Sequence, residues 1–172
     1  MAKQPQRFFS RFVFVSIAAS MLLAIPASAH AQNWKPVGQF GWFGVGKAYQ
    51  IEEGHYYWVG EFSGTFFSDK GAGGLFHLAG VKCPAYNDLD LNNNRRKAGG
   101  YCIITDFDGD QAYATWENAS MSATPGTPVP GTFTFTGGTG KYSGISGKNK
   151  FFGIPQINWA DGTSSGYATW NR

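Results

Sequence analysis

The chain has 172 residues, with 14 Lys and Arg against 11 Asp and Glu. Three of those cations and none of the anions lie in residues 1–31, so residues 32–172 carry 11 of each and are formally neutral. That balance argues against a nucleic-acid surface, which needs clustered Lys and Arg to displace counterions. The stretch is long enough for one domain to bury roughly two-thirds of its unfolded surface without a metal.

The first segment reads as a secretory signal peptide over residues 1–31. Lys3, Arg7 and Arg11 supply the positive start, Phe12 to Ile25 is apolar, and Pro26 breaks the run. Ala27-Ser28-Ala29-His30-Ala31 holds two overlapping A-x-A cleavage patterns, after Ala31 or after Ala29. The apolar stretch falls short of the ~20 residues a spanning helix needs, so no membrane span is expected after cleavage. The expected location is periplasmic or secreted.

Residues 32–172 are expected to form a single all-β domain. All 24 glycines lie there, together with nearly all the Tyr and Trp, and helix formers are sparse. Such a composition favours strands joined by tight turns. Residues 32–48 read as an irregular lead-in with a short strand. From Tyr49 to Phe67 a strand is predicted, because Tyr56, Trp58, Phe62 and Phe66 share one parity, with Gly60 and Gly64 between them. Glycines on an aromatic face suggest sharp coiling, as at a barrel corner.

Residues 69–74 read as a turn, and a second strand is predicted from Leu75 to Cys83, ended by Pro84. Residues 85–100 read as a long polar loop whose basic run, Arg95-Arg96-Lys97, is a solvated tip. A third strand covers Tyr101 to Asp106. Asp108-Gly109 is a strong hairpin signal leading into Gln111–Glu117. Thr132, Thr134 and Thr136 alternate with Phe133 and Phe135, a half-buried strand. Residues 137–147 form a glycine-punctuated turn, and strands at Lys150–Trp159 and Ser165–Trp170 complete the set. Tyr-Ala-Thr-Trp occurs at 113–116 and at 167–170, each after an Asp-Gly pair, which suits a meandering antiparallel sheet. Seven to nine strands with short connections favour a closed or nearly closed barrel of about eight strands, because closure removes exposed edges; a sandwich is the alternative.

Cys83 and Cys102 are the only cysteines. In an exported chain an even count makes one disulfide the leading reading, with two buried thiols as the alternative. If the two sit opposite each other on adjacent antiparallel strands, paired residue numbers sum to 185. His77 then shares a face with both cysteines and is the diagonal neighbour of Asp106. A His–carboxylate pair can serve as a general base, so His77 and Asp106 are the catalytic candidates, against the plainer reading of a surface pair beside a disulfide. No motif places a Ser or Cys nucleophile.

Gly137–Gly147 (GGTGKYSGISG) resembles the Gly-Gly-Thr-Gly-Lys-aromatic segment that allene oxide cyclases and dirigent proteins carry between strands of an eight-stranded barrel. The chain also looks like small exported bacterial proteins of unknown function with a Phe-rich strand before that motif. The resemblance implies a barrel with an apolar interior able to hold a small hydrophobic molecule. It carries over no active site, since no acidic or pocket residue of those families can be matched here.

No metal or cofactor is expected. His55 and His77, the histidines beyond the signal, do not make a zinc set. Asp88, Asp90, Asn92 and Asn94 alternate like a calcium loop but place Asn93 and Gly99 where Gly and Glu are required. Asp106, Asp108 and Asp110 read better as a hairpin tip. Asn118-Ala119-Ser120 fits a glycosylation pattern that a bacterial exported chain would not use. The expected function is non-catalytic binding of a small apolar or aromatic molecule within the barrel. The alternatives are a cyclase- or isomerase-like enzyme and an envelope structural or carbohydrate-contacting protein. A small apolar ligand is the expected partner, and the oligomeric state is left open.

Overall fold

The computed structural model describes residues 34–120 and 126–172. The signal segment and its cleavage sites lie outside these residues. Eight strands follow in chain order: β1 (Gly38–Glu52), β2 (His55–Ser68), β3 (Gly80–Asp90), β4 (Arg95–Thr105), β5 (Gln111–Ser120), β6 (Val129–Gly138), β7 (Gly147–Asn158) and β8 (Ser164–Trp170). Each pairs antiparallel with its neighbour in the chain, and β8 closes on β1 from Gly38↔Trp170 to Gly44↔Ser164. The product is a closed eight-stranded up-and-down barrel with no free sheet edge.

Aromatic rings line the lumen because the strands offer them small residues to lie against. Across β1 and β2, Trp42 stands opposite Gly64, Phe62 opposite Gly44, and Trp58 opposite Ala48. Large against small in register lets rings from a single strand pair reach the barrel axis without colliding. Phe66 is fully buried and its ring centroid lies 4.5 Å from that of Trp170, which in turn lies 4.7 Å from Phe133. Burying one such ring contributes about 1.5–3 kcal/mol. The repeated Tyr-Ala-Thr-Trp segments sit on β5 and β8, where Ala114 and Ala168 are both buried.

Several strand limits differ from the sequence expectations. The lead-in and the Tyr49–Phe67 segment are two long strands, divided by a tight turn at Glu53-Gly54 in which Gly54 has φ +76°. The stretch from Leu75 to Ala79 is not strand. It is a bend in which Phe76 and Leu78 take φ of 60° and 61°. That backbone is costly for residues with a Cβ, by about 1–2 kcal/mol. Burial of the Phe76 ring against Phe135 and Tyr142 offsets it, as do the bonds from Leu78 N–H to the Phe66 carbonyl (2.8 Å) and from Phe66 N–H to the Ala79 carbonyl (3.0 Å).

Pro84 does not end its strand, and residues 85–100 are not a loop. β3 runs on to Asp90, turns through Leu91–Asn94, and returns as β4 from Arg95. Pro84 pairs with Glu61 of β2 and has no ladder partner on β4, so its missing N–H leaves no hydrogen bond broken there. Cys83 and Cys102 form a disulfide, bracketed by Lys82↔Ile103 and Ala85↔Gly100, pairs whose numbers sum to 185.

Because the strands alternate in direction, the connections divide between two ends. One end gathers residues 34–37, 69–79, 106–110 and 139–146, and is stoppered by Phe76, Tyr142 and Ile145, with Trp34 packed against them. The other carries the β1–β2, β3–β4 and β7–β8 turns.

Candidate functional site

Toward that second end the lumen is not filled. An apolar cavity of about 80 Å³, partly open to solvent, is lined by Phe40, Trp42, Phe62, Trp116, Phe133, Phe151 and Trp170, with the disulfide at its side. Three residues of this lining carry polar groups: Arg96, Trp116 and Asn118. Their placement follows from strand parity. Arg96 shares the inward face of β4 with the buried Ala98, Cys102 and Ile104, while Arg95 and Lys97 on either side point to solvent. Asn118 shares the inward face of β5 with Ala112 and Ala114. The basic run is therefore not a loop tip: two of its members are solvated and the middle one serves the lumen.

The polar groups of the cavity are poorly matched by the protein. Arg96 Nε donates to Asn87 Oδ1 at 3.2 Å, and its amino groups have no partner among the described residues. Desolvation pulls the guanidinium pKa below its ordinary value. Trp116 Nε1 and Asn118 Oδ1 are both buried without a hydrogen-bond partner among the described residues. Elsewhere the barrel satisfies such groups. Asn149, 2% exposed, donates to the Trp34 carbonyl at 3.2 Å and accepts from Asn171 Nδ2 at 3.0 Å. Asn118, the acceptor of the glycosylation pattern, is only 8% exposed and faces the lumen, so that pattern is closed to modification in the folded chain.

The two catalytic candidates share no hydrogen bond or ion pair. His77 precedes β3, in the stopper bend, and its Nδ1 accepts from Ser68 N–H at 3.3 Å. Asp106 opens the β4–β5 turn on the same end of the barrel and is committed to other groups. It accepts from the Tyr142 hydroxyl at 2.9 Å and from the backbone N–H of Asp108 and Asp110 at 3.0 and 3.2 Å, and it pairs with Lys141. The shared face expected from the cysteine register fails at His77 because the β3–β4 ladder begins only at Gly80↔Thr105. Neither residue lines the cavity.

The glycine-rich turn has a structural task in this arrangement. Gly140, at φ +50°, leaves room for the Asp110 carboxylate, which a Cβ there would strike. Asp110 Oδ2 then accepts from Lys141 N–H at 3.1 Å, and the Gln111 N–H donates to Thr139 Oγ1 at 2.9 Å. The turn so fixed delivers Tyr142 into the stopper and Lys141 to Asp106 and Asp108.

The first alternating acidic run is likewise occupied. His55 Nε2 meets Asp88 Oδ1 at 2.7 Å, while Asp90 accepts from Asn93 Nδ2 at 2.8 Å and from Arg95 at 3.2 Å. Among the described residues no group of three or more His, Cys, Asp or Glu is gathered as a metal site, and no helix is long and apolar enough to cross a membrane.

These charges set the pH response. Burial alone would raise the Asp106 pKa, but hydrogen bonds from Lys141, Tyr142 and the Asp108 N–H prevail and hold it below the ordinary carboxylate value. Burial and the bond to Asp106 push the Tyr142 phenol up to about 12. A carboxyl with a depressed folded pKa stabilises fully above its unfolded value of about 3.9, and that stability is lost as pH falls through the folded value. Asp69, Asp90 and Asp161 are shifted in the same direction. The hydrogen bond to Asp88 raises His55, whose contribution is full below about 6.5 and lost as pH rises through its folded value. Thermal melts should therefore show a stability plateau between about pH 4 and 6.5 with a fall on each side. Asp88→Asn should remove the alkaline decline, and Asp106→Asn should cost about 1.5–3 kcal/mol at neutral pH. Unchanged melting from pH 3 to 9 would contradict the assignment.

In comparisons with known proteins the chain matches no family model, no curated protein sequence and no solved structure. The geometry of the lumen is therefore the basis for a functional reading.

Proposed function

We propose that this is an exported binding protein that holds a small apolar or aromatic molecule in the open end of its barrel. The observation that carries the reading is the cavity itself: walls of seven large rings, free space inside, and an opening to solvent. A void with walls of this kind takes apolar guests readily, and its few polar groups cannot hold a wholly polar solute. Its volume lies far below the several hundred Å³ of pockets for drug-sized ligands, so the guest is one ring or a short branched chain. The signal-like residues 1–31 and a disulfide, which persists in oxidising compartments, both support export. The resemblance of Gly137–Gly147 to the cyclase and dirigent barrels supports the same reading, since those are eight-stranded barrels with apolar interiors. Cavity walls without Asp, Glu or His favour binding over a cyclase-like reaction.

A separate observation favours one further reading, contact with envelope carbohydrate. Phe43 and Trp159, each more than 40% exposed, lie 6.0 Å apart on the outer wall, where Tyr49 is also exposed. Rings presented outward in this way can stack on sugars.

Blocking the lumen separates the two. A Cβ at Gly153 would meet Phe151, Asn118 and the Val129 carbonyl only at 3.6–4.0 Å, ordinary van der Waals contact. Gly153→Val is expected to gain up to about 1 kcal/mol of stability from strand preference. It should also abolish the rise in melting temperature that saturating toluene gives the unaltered protein. Toluene that stabilises both proteins equally, or neither, would overturn the lumen reading.

A further inference from the structure

The chain's 11 Asp and Glu all lie among the described residues, and each ion pair they form is with a cation other than Arg96. Arg96, half-buried and partly desolvated, is therefore a cation for which the protein supplies no side-chain anion. Its one bond, to Asn87, occupies Nε and leaves the outer fork of the guanidinium unused. A charge held in that way is normally paired, because an isolated one is expensive to bury. Two more groups with unspent hydrogen-bonding capacity belong to the same cavity lining. Asn118 is more than nine-tenths buried with Oδ1 unpartnered, and Trp116 has a buried, unpartnered Nε1. Two donors and one amide thus share the lining of a cavity whose other walls are apolar.

We propose that the guest is a small organic acid, its carboxylate held by Arg96 and the Trp116 indole N–H at the open end and its hydrocarbon body in the aromatic lumen. This rests on the lumen being a binding pocket and specifies what enters it. The guanidinium fork matches the two oxygens of a carboxylate, and the indole N–H can donate to the same group. Asn118 serves as the adaptable partner: its amide donates to a carboxylate oxygen in one orientation and accepts from a hydroxyl in the other. A single cation in an otherwise apolar site suits a monoanion and leaves a phosphate dianion undercompensated. The small volume restricts the body to one ring or a short branched chain. Arg96 thus acts as a selectivity residue for the acid group, and the rings supply the remaining contact.

The test compares benzoate with benzamide, which has the same shape and no charge, on the full-length processed protein. Binding is followed by calorimetry and by the Trp116 indole and Arg96 Nε resonances in two-dimensional NMR. Benzoate should bind roughly 10- to 100-fold more tightly than benzamide, as expected for a charge-assisted bond in a desolvated site, and should shift both resonances. Arg96→Gln should bring the ratio close to one. Arg96→Met, which replaces the uncompensated charge with an apolar chain of similar length, should do the same while raising the melting temperature of the ligand-free protein. It serves as the folded control should the Gln variant be unstable. Equal affinity for the two probes, or an acid preference that survives both substitutions, overturns the acid assignment and leaves the apolar pocket standing. No binding of benzoate, benzamide or toluene defeats the pocket reading as well.

Discussion

Replacing Cys83 and Cys102 together by alanine is expected to lower stability by about 3 kcal/mol, or roughly 10 °C in melting temperature. The bridge joins residues 19 apart, and in the chain-entropy picture a loop of that length restricts the unfolded ensemble by about this amount. The native side adds to the loss. Both residues line the cavity, so two truncated side chains enlarge a void that nearby rings cannot fully close. Cys83 and Cys102 are only 2% and 9% exposed. Reduction of the native protein should thus be slow under native conditions and should accelerate with denaturant, in step with unfolding. Urea titrations of the double variant and of the oxidised protein measure the first claim. A difference below about 1 kcal/mol would mean that the barrel already holds these strands without the bond.

The parts of this barrel legible in the sequence are those where one face is apolar and the other polar. Phe133 and Phe135 against three threonines announce β6, and Asp108-Gly109 announces a turn. The cysteine register is correct along the whole β3–β4 ladder. Sequence reasoning loses the thread where both faces are polar. From Asn87 to Arg96 the inward residues approach the barrel mouth and no longer need to be apolar, so strand pairing there leaves no alternating signature. The expected Tyr49–Phe67 strand runs the end of β1 into β2 because the turn between them is only two residues long, and the rest of β1 is hidden in the glycine-rich lead-in. Phe76 shows a different failure: a phenylalanine in left-handed backbone is chosen by what its ring stoppers, which local propensity cannot report.

Arg96 is the clearest case of a readable signal outweighed by a louder one. Flanked by Arg95 and Lys97, it belongs to a charge run, and such runs are usually solvated. Yet it stands at even spacing from Ala98, Cys102 and Ile104, and in a strand that parity decides which side a residue faces. Composition describes the three residues together, whereas alternation separates the middle one from its neighbours. The two ends of the barrel differ in the same terms. At the stoppered end Asp106, Lys141 and Tyr142 satisfy one another, and the charges are spent on structure. At the open end the surface charges are likewise paired, His55 with Asp88 and Arg95 with Asp90, but in the lumen the Arg96 amino groups, Trp116 Nε1 and Asn118 Oδ1 have no partner among the described residues.

Gly64→Ala is expected to cost at least about 3 kcal/mol or to prevent folding, although it adds a single methyl group. Gly64 faces the lumen opposite Trp42, and a Cβ there would strike the Gly41 carbonyl oxygen, a backbone atom that cannot swing aside. Relief requires β1 and β2 to separate or to uncoil. Either movement displaces Trp42 from its edge-on contact with Phe62, 4.8 Å between centroids, and so deforms the cavity wall. Gly41→Ala supplies the control on the same strand pair. A Cβ at Gly41 would meet nothing within 4 Å, so that change should be neutral or slightly stabilising through the reduced freedom of the unfolded chain. Denaturation midpoints of the two variants decide the matter. If they are equal, the lumen glycines are incidental to strand coiling, and the ring-against-glycine packing that shapes this cavity is not what holds it open.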